Sequence, residues 1–126
     1  MFCAEDVKQT IVMGITLVSE PISAKQLREA GEELYGDMVK AVVDVEKEIM
    51  AVGAELHADE EAFLLERNSL QENLWGINLY TQRVMPEMLE FDSMINIRPR
   101  QNNRSRGVED SKLQERIVAI VNKLVR

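Results

Sequence analysis

The chain has 126 residues, 45% of them apolar and 29% charged, which suits one globular domain with its own core and no need of a metal or disulfide. Its net charge of −7 argues against the broad basic face of a general nucleic-acid binder. Apolar runs fall far short of the roughly 20 residues that span a bilayer, and the single Cys3 leaves no intramolecular disulfide. The start reads Met-Phe-Cys-Ala-Glu-Asp, acidic where a signal peptide is basic. The expectation is a cytoplasmic protein with no membrane segment.

Charge is unevenly spread. Residues 1–66 hold fifteen acids against five bases, and residues 67–126 hold seven against ten, giving −10 and +3. A local basic patch in the second half is therefore compatible with the acidic total.

Residues 1–12 read as an extension outside the core, because Met13-Gly14 resembles a start and Ile15–Val18 has strand character just after it. A helix is expected at about 24–35. Ser23 and Gln26 form a capping box, Ile22 and Leu27 a staple, and Gly36 suits the C-terminal stop. Met38–His57 admits two readings. Met38, Val42, Val45, Ile49, Val52 and Leu56 step by 4, 3, 4, 3, 4, as in a helix. Yet the valines at 39, 42, 43 and 45, the charged Glu46-Lys47-Glu48 and the helix-weakening Gly53 suit two strands joined by a turn, the preferred reading.

Ala62–Glu66 and Leu74–Tyr80 flank polar Arg67-Asn68-Ser69 like the arms of a hairpin, with Trp75, Ile77 and Leu79 on one core face. Leu89, Phe91, Ser93, Ile95 and Ile97 alternate with polar residues, predicting a strand stopped by Pro99. Residues 99–109 read as loop. Asp110 then caps a helix striped by Leu113, Ile117, Ile120, Val121 and Leu124. These elements predict an α+β fold: a mostly antiparallel sheet of about five strands, flanked by an N-terminal and a C-terminal helix, in one domain over 13–126.

Glu55-Leu-His-Ala-Asp59, Gln71-Glu-Asn-Leu-Trp-Gly-Ile-Asn78, Ile95-Asn-Ile-Arg-Pro-Arg100 and Asn103-Arg-Ser105 resemble a small prokaryotic family known only as a domain of unknown function. The resemblance covers most of residues 14–125. It implies strands rather than a helix at 39–57, and it supplies no catalytic residue.

Two clusters carry candidate chemistry. On a strand, Glu55, His57 and Asp59 would share a face, where a carboxylate orients the only imidazole for acid–base work. His57 and Glu55 are the catalytic candidates. A three-ligand metal site is not expected, since Glu55 and Asp59 would stand about 13 Å apart along the strand. The competing reading is an exposed polar strand end, where replacing His57 changes stability by less than about 0.5 kcal/mol.

Arg98, Arg100, Arg104 and Arg106 lie within nine residues, with Asn103 adding a donor. Guanidinium forks match carboxylate and phosphate oxygens, so these five are the binding candidates. At least two arginines are expected to be engaged, by carboxylates of the acidic turns around Glu46 and Glu60 or by a bound anion.

No phosphate-cradling glycine loop, zinc-spaced Cys/His pair or Gly-x-Ser-x-Gly elbow occurs, and no cofactor is expected. The leading expectation is a binding or interaction module that takes an anionic small molecule or a protein partner, with self-association through its acidic and basic halves. The alternative is a small hydrolase or phosphate-acting enzyme, with His57 as base and arginines as clamps. That alternative requires His57 and two of the guanidinium groups to converge on one open pocket.

Overall fold

The computed structural model describes residues 9–12, 14–31 and 34–126. Among these residues six antiparallel strands form one sheet in the order β1-β2-β4-β3-β5-β6. They are β1 (Gln9–Val12), β2 (Ile15–Val18), β3 (Met38–Asp44), β4 (Ile49–Val52), β5 (Leu74–Tyr80) and β6 (Leu89–Glu90). The α-helices among the same residues are α1 (Ala24–Ala30), α2 (His57–Leu65) and α3 (Ser111–Leu124). The α+β architecture with helices near both termini is the expected one. Gln9–Val12, expected to belong to an extension, pairs with β2 at the sheet edge, and residues 1–8 lie outside the described ones. Among the described residues no helix is long and apolar enough to cross a membrane.

Within Met38–His57 the chain forms strands β3 and β4, and His57 opens α2. The chain turns at 45–48, where Asp44 Oδ1 accepts from the amides of Glu46 and Lys47, both at 2.9 Å. Asp44 Oδ2 takes the Ser69 hydroxyl at 2.6 Å, so this fully buried carboxylate is satisfied on both oxygens. Gly53 ends β4 at φ +94°, and a Cβ there would stand 2.5 Å from the Ala30 carbonyl oxygen. No other residue type tolerates both constraints.

The sheet buries both faces. Val39, Ala41, Val43, Trp75, Ile77 and Leu79 point to one side, covered by Leu27 of α1 and Ile117, Ile120, Val121 and Leu124 of α3. Full burial of such side chains contributes roughly 1.5–3 kcal/mol each. Val42, Ala51 and Leu74 point to the other side, against Phe63 and Leu64 of α2. The segment leading into α1 is tied to the end of α3, since Ile22 N donates to Leu124 O and Arg126 N to Ile22 O, both at 2.8 Å.

The capping box at Ser23 and Gln26 is present, as is the Asp110 cap of α3. Three expectations are corrected. The first helix stops at Gly31 rather than near residue 35, because the Gly31 amide already closes on Arg28 and Glu29 carbonyls. Ala62–Glu66 is not a hairpin arm; it lies mostly in α2, whose buried positions are His57, Glu60, Phe63 and Leu64. Those positions follow helical spacing, but two of the four are ionisable, so the apolar stripe is too short to show.

The third correction concerns residues 89–98. Only Leu89 and Glu90 pair with β5; beyond them the chain leaves the ladder through a 3-10 turn at Met94–Asn96. Asn96 then stands in for the next strand residue. Its Oδ1 accepts from Gly76 N at 2.8 Å, and its Nδ2 donates to Gly76 O and Arg106 O at 2.9 Å each. Gly76 permits this approach, since a Cβ would meet Ser93 Cβ at 2.5 Å and Oγ at 2.6 Å. Gly76→Ala should therefore cost about 1–3 kcal/mol by overpacking, read as a lower urea midpoint at unchanged slope; an unchanged midpoint would mean that Ser93 yields freely.

Candidate functional site

Packing of α2 and the 93–96 turn beside the sheet leaves a cleft of about 520 Å³ on this side of β3 and β5. Its lining includes Lys40, His57, Asn78, Tyr80, Glu90, Asp92 and Arg106. The sheet register sets their order. Lys40 pairs with Asn78 and Asn78 with Glu90, so the three form one row across β3, β5 and β6. Opposed residues of antiparallel strands share a face. Lys40 Nζ lies 5.1 Å from the Tyr35 ring centroid and makes no ion pair or hydrogen bond among the described residues.

Glu90 Oε1 accepts from Asn78 Nδ2 at 2.9 Å and from Tyr80 Oη at 3.0 Å. Burial, followed by that bond to Glu90, raises the Tyr80 phenol above its ordinary range. Asp92 Oδ1 takes the Arg106 Nε–H at 2.6 Å, so these two charges neutralise each other at the cleft's rim.

His57 begins α2 and is buried, 7% exposed, against the expectation of an exposed strand end. Its Nε2 donates to the Ile77 carbonyl at 2.8 Å. Burial holds the imidazole below its ordinary pKa, and Lys40 adds to this, against the opposing bond to Ile77. The ring is therefore neutral near pH 7. Asn78 Oδ1, buried next to it, has no hydrogen-bond partner among the described residues. A neutral ring whose proton goes to Ile77 has none left to offer it. His57→Ala should now cost about 2 kcal/mol in chemical denaturation, because it strands a buried carbonyl and removes packing. A loss below about 0.5 kcal/mol would restore the exposed reading.

The expected Glu55–His57–Asp59 face does not form. Glu55 and Asp59 line a separate cleft with Ala54, Phe63 and Gly14. Glu55 precedes α2, and Asp59 lies about 200° round that helix from His57, so neither shares the face of the imidazole. Among the described residues no three His, Cys, Asp or Glu side chains are grouped to hold a metal ion.

The arginine loop divides. Arg98 stacks over Trp75, 4.1 Å from the ring centroid, and donates to the carbonyls of Ile95, Gln71 and Leu74. Asn103 Nδ2 donates to the carbonyls of Asn96, Ser105 and Gly107, while its Oδ1 accepts from Glu109 N. Both residues hold the loop in shape. Glu109 accepts from the amides of Arg104 and Ser105, which keeps its carboxyl below the ordinary range. Arg100 and Arg104 are exposed. Two of the four arginines are engaged, Arg98 by backbone carbonyls and Arg106 by the Asp92 carboxylate, neither by the turns around Glu46 and Glu60, so only Arg106 has the kind of partner that was expected. Only Arg106 lines the cleft with His57.

Compared with known proteins, residues 16–124 match the model of DUF5674, described as a protein of unknown function. The chain belongs to the DUF5674 family. No curated protein and no solved structure matches it. The match spans every strand from β3 onward and all three helices of this DUF5674 chain, and it includes each cleft residue named above.

Proposed function

We propose that this DUF5674 chain is a binding module that receives an anionic group in the cleft between α2 and the sheet. One observation carries the reading: Lys40 stands there without a carboxylate partner among the described residues, beside a buried imidazole. An incoming carboxylate or phosphate oxygen would meet an ammonium that gives up no internal ion pair on binding. Arg106, at the rim, adds its remaining N–H donors, its charge being matched by Asp92. The enzyme alternative has less support, since its imidazole would need two guanidinium groups and Glu55 as orienter. Arg98 is committed to carbonyls, and Glu55 lines the other cleft.

Backbone amide shifts followed during titration with acetate and with phosphate test the reading. Shifts should centre on residues 38–40, 57–58 and 78–80, and Lys40→Met should weaken them at least tenfold. An Arg100→Ala/Arg104→Ala double variant should respond like wild type. Shifts centred on residues 100–104, or a Lys40→Met titration identical to wild type, would move the anion to the loop and overturn the cleft reading.

A further inference from the structure

We propose that the cleft takes an extended zwitterion, its anionic end on Lys40 and its amine on Glu90. The inference rests on the anion reading above and adds the second half of the ligand. Along the row Lys40–Asn78–Glu90 the charge runs from positive through neutral to negative. Neither end is neutralised by an ion pair among the described residues, for only Arg106–Asp92 and Lys123–Glu48 are paired. Asp92 is already matched by Arg106, which leaves Glu90 as the open carboxylate of the cleft. Its Oε1 is held by Asn78 and Tyr80, which fixes the group in place, and its Oε2 accepts no hydrogen bond among the described residues.

Neighbouring strands lie about 4.8 Å apart, so the backbones bearing Lys40 and Glu90 are separated by roughly 10 Å. Asn78 occupies the position between them and gives its amide to Glu90 and to the Asp92 carbonyl. An anion alone would satisfy Lys40 but leave Glu90 open, and a cation alone the reverse. Only a molecule with both charges, spaced by several bonds, meets the whole row. An α-amino acid is too short, because its ammonium nitrogen and carboxylate carbon are bonded to the same carbon. Between the charges the ligand needs an apolar stretch. The cleft offers Met38, Leu56 and Met94 beside the row, with Leu56 52% and Met94 65% exposed. Such side chains gain by covering methylene groups. The chemical class is therefore a linear ω-amino acid or a molecule carrying that element.

Calorimetric titration with 6-aminohexanoate, hexanoate, hexylamine and glycine decides the matter on the full chain. The zwitterion should bind at least tenfold more tightly than hexanoate or hexylamine, with glycine weaker than all three. Glu90→Gln should lower 6-aminohexanoate to the affinity of hexanoate and leave hexanoate unchanged. Lys40→Met should lower it to the affinity of hexylamine. Thermal melts of both variants matching wild type would confirm that each is folded. If hexanoate binds as tightly as 6-aminohexanoate, the zwitterion is wrong and the anion reading stands. If hexylamine matches it, the anion reading falls as well. If none of the four binds, both are overturned.

Discussion

Replacing Asn96 by alanine should destabilise the fold by about 3 kcal/mol or more. The side chain is fully buried and makes three hydrogen bonds, to Gly76 N, Gly76 O and the Arg106 carbonyl. Alanine would leave the two Gly76 groups in the sheet without a neighbour, because β6 has already ended at Glu90. Each stranded buried backbone group costs roughly 1–3 kcal/mol, far more than the net worth of one satisfied bond. The loss of the Arg106 carbonyl contact would also loosen the segment that brings Arg106 to Asp92. Urea denaturation measures the cost. Aspartate tests the donor half, since its carboxylate can accept from Gly76 N but cannot donate to the two carbonyls. Asn96→Asp should therefore fall between wild type and alanine near neutral pH only if the acceptor bond dominates. An alanine variant within about 0.5 kcal/mol of wild type would mean that water replaces the amide and that the segment is not sealed.

That amide also explains why residues 91–97 misled a reading by alternation. Phe91, Ser93 and Ile95 do alternate with polar residues, but the ladder is continued by a side chain rather than by a backbone. Ser93 accepts from Ile95 N and so starts a turn, a competition with the strand that short polar side chains often win. Elements whose signals are local were legible: the Ser23–Gln26 box, the Asp110 cap, the α3 stripe and the single-faced Trp75, Ile77 and Leu79. Helix α2 was not, because its buried stripe runs through His57 and Glu60 before reaching Phe63 and Leu64. Burying ionisable groups is costly, so pattern reading assigns them to solvent by default.

The candidate site was legible only in part. His57 and Arg106 were singled out by rarity and by clustering, and both line the cleft. Lys40, Asn78 and Glu90 were invisible as a group, since their alignment depends on the register of three strands that are not contiguous in sequence. Each looked like an ordinary polar position on an alternating strand. The signal that could have found them is the two-residue spacing of Lys40 from Met38, Tyr80 from Asn78, and Asp92 from Glu90 on segments that pair. Periodicity gives each spacing but no register. Arg98 and Asn103 read as ligand donors from their side chains alone, but both donate to backbone carbonyls around the loop, contacts that no spacing in the sequence reveals.

Glu60→Gln should raise the melting temperature at pH 8 by several degrees and leave it nearly unchanged at pH 4. Glu60 lies fully buried in α2. Its Oε2 accepts from Ala54 N at 3.0 Å, while Oε1 has no partner among the described residues. Burial pushes the carboxyl well above the usual range, and the opposing effects of the Ala54 bond and of Lys40 are smaller. The folded state thus holds a proton that the unfolded chain gives up near pH 4.3. Below that value both states are protonated and the group contributes its full share. As pH rises through the folded value the share is lost, because folding then requires either a bound proton or a buried charge. Glutamine keeps the acceptor for Ala54 and removes the proton requirement, so its advantage should grow with pH.

His57 acts in the opposite sense. Its folded pKa is depressed, so it contributes stability above about pH 6.5, lost as pH falls and the unfolded ring takes a proton first. Wild-type stability is thereby drawn down from both sides, and the two single variants separate the limbs. Glu60→Gln should flatten the alkaline limb only, and a His57→Gln variant the acidic limb only. A Glu60→Gln protein less stable than wild type at pH 8 would show that the carboxylate is ionised and paired, most directly with Lys40. That outcome would also withdraw the unpartnered ammonium on which the anion site depends.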